Sequence, residues 1–237
     1  MATSYMDYTS PSVRFNYDLS NNPLYKKDDR NYINELSIKQ LNTLGNTSLL
    51  DIFLSEGNVI EPHYHQNASE LVYCISGAAV VSLINPFTNE LLSYSIRPGQ
   101  VANVPQGWWH YEVATTDHTH LLAIFDAPVP EVILGSDILR LTPANVLAHS
   151  YCLNEKEVEE TLAPIKQSVF IGPPAGCKQN QTRALNAAAY DIYPGYNRHI
   201  APNPAYFNSG YDISQGGYTY PYPQRPVIGN GGRVPLY

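Results

Sequence analysis

EPHYHQNASE, residues 61–70, sits among β-rich runs and places two histidines one residue apart ahead of a glutamate. In a strand, side chains two apart point to the same face, about 6.5 to 7 Å from each other. His63 and His65 therefore share one side of the strand and Tyr64 takes the other. Imidazoles on the buried face of a strand cost free energy unless their nitrogens are satisfied, and a single metal ion satisfies several lone pairs at once. Glu70 adds a carboxylate from the start of the next strand, across the short QNAS turn.

On both sides of this stretch the chain reads as closely spaced strands. SLLDIFLS, VIEPHYH, ELVYCIS, AAVVSLI, LLSYSI, QVANV, WHYEV and HLLAIFD are short β-rich runs broken by Gly, Pro, Asn and Asp, the pattern of an all-β sandwich or barrel. After Pro130 the signals turn helical. Thr142 before Pro143 places a capping residue ahead of a proline at the first helical position of ANVLAHSY. Asn154 followed by Glu157 predicts a second helix start, flanked by Leu153 and Val158 as a hydrophobic staple and ended by Pro164. KQSVFIG, 166–172, predicts a last extended segment.

Three regions are expected: an N-terminal arm over 1–45, a barrel with its helices over 46–172, and a Tyr/Pro/Gly-rich tail over 173–237. From Tyr190 onward the tail holds nine of the 19 tyrosines and almost no aliphatic periodicity, so it builds no core of its own.

Of the 237 residues 43% are hydrophobic, enough for one sizeable core. The formal charge is −7 and the lysines and arginines are scattered, so no basic patch is offered to a phosphate backbone and nucleic acid is not an expected partner. No stretch approaches the roughly 20 apolar residues that cross a bilayer, and MATSYMDYTSPSVRF has no basic start with an apolar run, so no membrane partner and a cytoplasmic location are expected. Cys74, Cys152 and Cys177 are odd in number and far apart, which argues against a disulfide framework or a thiolate metal site.

Spelled out, the spacing is Gly57, five residues, His63, one, His65, four, Glu70, six, Gly77; then Gly99, five, Pro105, one, Gly107, two, His110. This pair of patterns resembles the two signature motifs of the cupin superfamily, with nine positions in agreement; Ala114 alone departs, standing where asparagine is usual. The resemblance implies a double-stranded β-helix, or jelly-roll, barrel with His63, His65, Glu70 and His110 as metal ligands. Three imidazoles and a carboxylate suit a divalent metal, Mn(II) or Fe(II) before Ni, Cu or Zn. HTH at 118–120 repeats the histidine spacing without a carboxylate partner and reads as structural.

LLAIFDAPVPEVILGSDILRLTPANVLAHSYCL is similar to the segment that leaves the barrel in oxalate decarboxylases and germin-like proteins, and only one copy of the motif pair is visible, which implies a monocupin relative. In the decarboxylases an arginine three residues before the first metal histidine grips oxalate; Ile60 stands there in this chain, which disfavours oxalate itself. A lid-loop glutamate moves protons in that family, and Glu131 is the nearest counterpart. Glu112 has an equal claim: two residues beyond His110 in its strand, it points the same way. The expected function is a metal-dependent enzyme, decarboxylase or oxidase in type, acting on a small organic acid. The alternatives are an Fe(II) dioxygenase or a non-catalytic structural or storage cupin associated with a coat or matrix. A homo-oligomer is expected, because the corresponding helices clasp neighbouring subunits in germin-like relatives and a sheet edge needs covering.

Overall fold

Strict alternation of buried and half-buried residues along HLLAIF and its neighbours is what a strand with one face on a core requires, and the chain obeys it. The computed structural model describes residues 6–177; the tail beyond that point lies outside the described residues. Among the described residues twelve strands form in chain order, β1 (Pro23–Lys26), β2 (Tyr32–Leu36), β3 (Ser48–Leu54), β4 (Val59–Tyr64), β5 (Glu70–Ser76), β6 (Ala79–Asn85), β7 (Glu90–Ile96), β8 (Val101–Val104), β9 (His110–Ala114), β10 (Thr119–Phe125), β11 (Ile133–Leu134) and β12 (Ile171–Gly172). Three short helices, α1 (Gly135–Leu141), α2 (Ala144–Tyr151) and α3 (Glu155–Leu162), lie between β11 and β12.

The strands make two antiparallel sheets, ordered β1-β2-β3-β10-β5-β8 and β11-β4-β9-β6-β7, with β12 also on β4. From β3 to β10 the chain passes repeatedly from one sheet to the other, so the two sheets close face to face as a jelly roll. Val72, Cys74, Val81, Val104, Leu121 and Phe125 fill the space between them. Gly77, which ends the first motif, turns the chain from β5 into β6 at φ +71°, and a Cβ there would stand 2.6 Å from the Thr119 Cα, so both conformation and contact require glycine.

The segment expected as an arm contributes β1 and β2 in cis: β2 pairs with β3, Ile33 opposite Ile52, and widens the first sheet. Asn154 caps α3 as expected, its side chain accepting from the Glu157 backbone N–H at 3.2 Å. Thr142 does not cap α2. Its hydroxyl donates to the Ile138 carbonyl at 2.6 Å and closes α1, leaving Pro143 at the N-cap of α2. The helix α1 itself, opened by Gly135 without a side-chain cap, carries no start signal that sequence alone shows. The extended segment expected over 166–172 pairs only at Ile171 and Gly172.

β4 would be the open edge of its sheet. β11 pairs with it at His63–Tyr64 and β12 at Val59–Ile60, so the chain that leaves the barrel returns to seal the strand that carries both motif histidines.

Candidate metal centre

β4 and β9 lie side by side with His63 directly opposite His110, and β5 brings Glu70 in from the other sheet. His65 follows the end of β4, held there by the Gly107 N–H, which donates to its carbonyl at 2.9 Å. All four side chains are buried, none more than 5% exposed. One ligand atom from each of His63, His65, Glu70 and His110 lies within 4.8 Å of all the others.

The three rings are aimed by the backbone. The Nδ1–H of His63 donates to the Glu61 carbonyl at 2.6 Å, that of His65 to the Glu131 carbonyl at 2.8 Å, and that of His110 to the Trp108 carbonyl at 2.8 Å. With Nδ1 occupied, each Nε2 faces inward, the tautomer and orientation of a metal-binding imidazole. Oε2 of Glu70 stands 2.8 Å from Nε2 of His110, 3.3 Å from that of His65 and 4.0 Å from that of His63. Nε2 of His65 is buried without a hydrogen-bond partner. A converging mixed N/O set with an orphaned nitrogen fits a divalent cation, and these four residues could hold one.

Electrostatically the cluster is tight. Burial, aided by the charge on His110, holds His63 down to about 3. For His110 burial works downward but is outweighed by its hydrogen bond to Glu70 and by the charges of Glu112 and Glu70, which lift it to about 9. Burial of Glu70 works upward and is outweighed by the His110 and His65 rings beside it, so its carboxyl stays well below the usual range.

Glu112 lies inside the barrel, 1% exposed, with both carboxylate oxygens free of hydrogen bonds. Its Oε1 is 3.7 Å from Nε2 of His110, and burial, then the Glu70 charge, pushes its carboxyl up to about 8. Ile60 is its register partner across β4, so the place where the decarboxylase pattern carries arginine faces the unpartnered carboxylate with a hydrocarbon. Glu131 is exposed; its carboxylate accepts from Nε2 of Gln66 at 3.0 Å, and its contact with the cluster runs through its backbone carbonyl to His65. His120 stands apart, bonded to Asp51 at 2.6 Å and stacked on Phe53, a structural arrangement.

Sequence reasoning passed over Glu61, although it opens the quoted stretch. A register break between Ile60 and His63 turns Ile60 into the core and leaves Glu61 facing the chain that leaves the barrel. Its carboxylate accepts from the N–H and hydroxyl of Ser136, both at 2.7 Å, and from the N–H groups of Phe170 at 3.1 Å and Val169 at 3.2 Å. The same residue's carbonyl orients His63, so one side chain fastens α1 and β12 to the strand whose backbone aims a ligand. The available signal was a carboxylate within an otherwise buried strand, which must find donors.

A jelly-roll barrel whose three inward imidazoles and carboxylate could hold a metal is the architecture of a cupin. The cupin family's sequence model, described as Cupin, matches residues 22–159, more than half of the chain, and the chain belongs to that family. A germin-like protein of Oryza sativa subsp. japonica, germin-like protein 1-2, is 32% identical over 123 residues, covering 50% of this chain and 54% of the relative. Legumin type B of Vicia faba is 28% identical over 131 residues, covering 54% of this chain and 39% of the legumin. The chain thus matches about half or less of the length of these relatives. Among solved structures, oxalate decarboxylase from Bacillus subtilis superposes with a TM-score of 0.61 at 22% identity, over 68% of this chain and 42% of that one. The coconut allergen cocosin gives 0.63 at 24%, over 71% and 46%. At these identities the structural likeness speaks for the fold alone.

Proposed function

We propose that this cupin is a metal-dependent enzyme that decarboxylates or oxidises a small organic acid, with His63, His65, Glu70 and His110 holding Mn(II) or Fe(II) and Glu112 exchanging the substrate proton. The supporting observation is the pairing of a four-residue N/O cluster with a buried carboxyl that no structural hydrogen bond employs. Mn(II) centres occur in the Bacillus subtilis oxalate decarboxylase, which favours manganese. A divalent ion in the cluster would supply Lewis acidity toward a carboxylate or enolate oxygen. Glu61, Glu131 and Trp108 position the imidazoles through their carbonyls, and the β4 and β9 backbones keep His63 and His110 in register. Glu112 gives or takes a proton beside Ile60 and Val81, its apolar register partners on β4 and β6. Glu131, its carboxylate turned to Gln66, serves as a positioning residue for His65.

The test is Glu112→Gln. Metal per chain should match wild type, while CO₂ release or O₂ uptake with a panel of small monocarboxylic acids falls by about 100-fold or more, the usual contribution of a proton-transfer group. O₂ consumption separates an Fe(II) dioxygenase from a decarboxylase. Similarity to legumins favours a second, non-catalytic storage or coat reading, under which metal raises stability but no acid is turned over.

A further inference from the structure

The barrel has a seam. β7 ends one sheet and β8 ends the other, and although a tight turn joins them they do not pair. Leu92 and Tyr94 of β7 face the same side as Leu83 and Val81, their partners on β6, which is the side of the core. Tyr94 is nonetheless 49% exposed, because the sheets do not close over it. Between the two strands runs a cleft of about 700 Å³ whose lining includes Leu83, Leu92, Tyr94, Val101, Ala102 and Trp108.

Two of these residues connect the cleft with the metal cluster. Leu83 is the register partner of His110 and shares its face of the sheet. Trp108 lines the cleft and accepts the Nδ1–H of His110 at its carbonyl. The charge of the region is one-sided. From residue 40 to residue 139 the chain carries ten Asp and Glu but a single Lys or Arg, Arg97, which is exposed in the β7–β8 turn and is not part of the lining. Among the described residues no Lys or Arg lines that wall, so a second negative charge on a ligand finds no cationic side-chain partner there.

We infer that the β7–β8 seam is the substrate cleft, and that it takes an aromatic or branched aliphatic molecule bearing at most one negative charge, body against Leu92, Tyr94 and Trp108 and polar end toward the His110 side of Leu83. This rests on the proposed enzymatic function and narrows its substrate class. A second carboxylate would lie unpaired against this lining, and an apolar body is selected by burial against it.

The experiment compares benzyl alcohol, benzoate and phthalate, one ring with no, one and two negative charges, binding to the purified full chain by calorimetry and by quenching of tryptophan emission. The same titrations are run on Leu92→Asp and Val101→Trp, with metal per chain measured in every sample. Benzyl alcohol and benzoate should bind wild type, phthalate at least tenfold more weakly. Leu92→Asp should weaken benzoate at least tenfold, and Val101→Trp should weaken both binders, with metal content unchanged in each variant. Phthalate binding as well as benzoate, affinities that ignore both substitutions, or no binding of any of the three would overturn the inference. A wild type that takes up no metal would defeat the proposed function separately, since benzyl alcohol still reports the cleft.

Discussion

Nε2 of His110 lies 2.8 Å from Oε2 of Glu70 while its Nδ1 donates to the Trp108 carbonyl at 2.8 Å, so without a metal both ring nitrogens act as donors. A ligand set arranged in this way must release a proton to take up a metal. With His110 lifted to about 9 and His63 held to about 3, His110 is the ring that gives it up. Apparent Mn(II) affinity should therefore rise about tenfold per pH unit between pH 6 and 8, with about one proton released per ion. Calorimetry in buffers of different ionisation enthalpy reads both quantities; affinity independent of pH would contradict the arrangement.

The metal-stripped protein carries the complementary dependence. His110 and Glu112 both bind their protons more tightly folded than unfolded, with values near 9 and 8 against ordinary values of 6.5 and 4.5. Their stabilisation is fully present below the unfolded values and is lost as pH rises through the folded ones. Between pH 6.5 and 9 the melting temperature of stripped protein should fall, and Glu112→Gln should flatten that fall. Between pH 4.5 and 6.5 the Glu112 and His63 contributions oppose each other, and below pH 4.5 the trend reverses, because His63, buried neutral, loses its contribution as acid approaches about 3. Melting curves across the two windows check the opposite slopes.

Glu61, which the sequence left unremarked, gathers four hydrogen bonds at its carboxylate. Glu61→Ala strands the N–H and hydroxyl of Ser136 and the N–H of Phe170, leaves the Val169 N–H only its 3.2 Å bond to the Ser136 hydroxyl, and should cost about 3 kcal/mol or more. Glu61→Gln keeps the volume and an acceptor oxygen and should lose less. Because the segment it ties seals the β4 edge beside His63, the alanine variant should also bind metal more weakly. Urea unfolding with parallel metal titration measures the two effects; a variant as stable as wild type would remove the fastening role.

How much was legible follows from the range of the forces involved. The strand period placed His63 and His65 on one face, and fixed glycine spacings around them marked the turns, because both are local properties of the backbone. Glu112 was legible for the same reason, two residues beyond His110 and buried beside it. Glu131 shows the opposite case. Its residue type drew attention to the carboxylate, whereas the group in contact with the cluster is a carbonyl that any residue would supply. β11 and β12 are two residues each and exist only because β4 needs partners, so no periodicity announces them. The β7–β8 seam was equally hidden, since which strands end a sheet depends on pairing across the whole barrel.

The assignment of His63 and His65 to a catalytic metal centre is tested by metal analysis of the purified chain beside a His63→Ala/His65→Ala variant, followed by turnover assays on both with small monocarboxylic acids. Close to one Mn or Fe per chain in wild type, lost in the variant together with CO₂ release or O₂ uptake, is the predicted result. A wild-type protein that is empty and refuses added Mn(II) and Fe(II), or a variant that keeps its metal and its turnover, would contradict the assignment of these histidines to a catalytic metal centre.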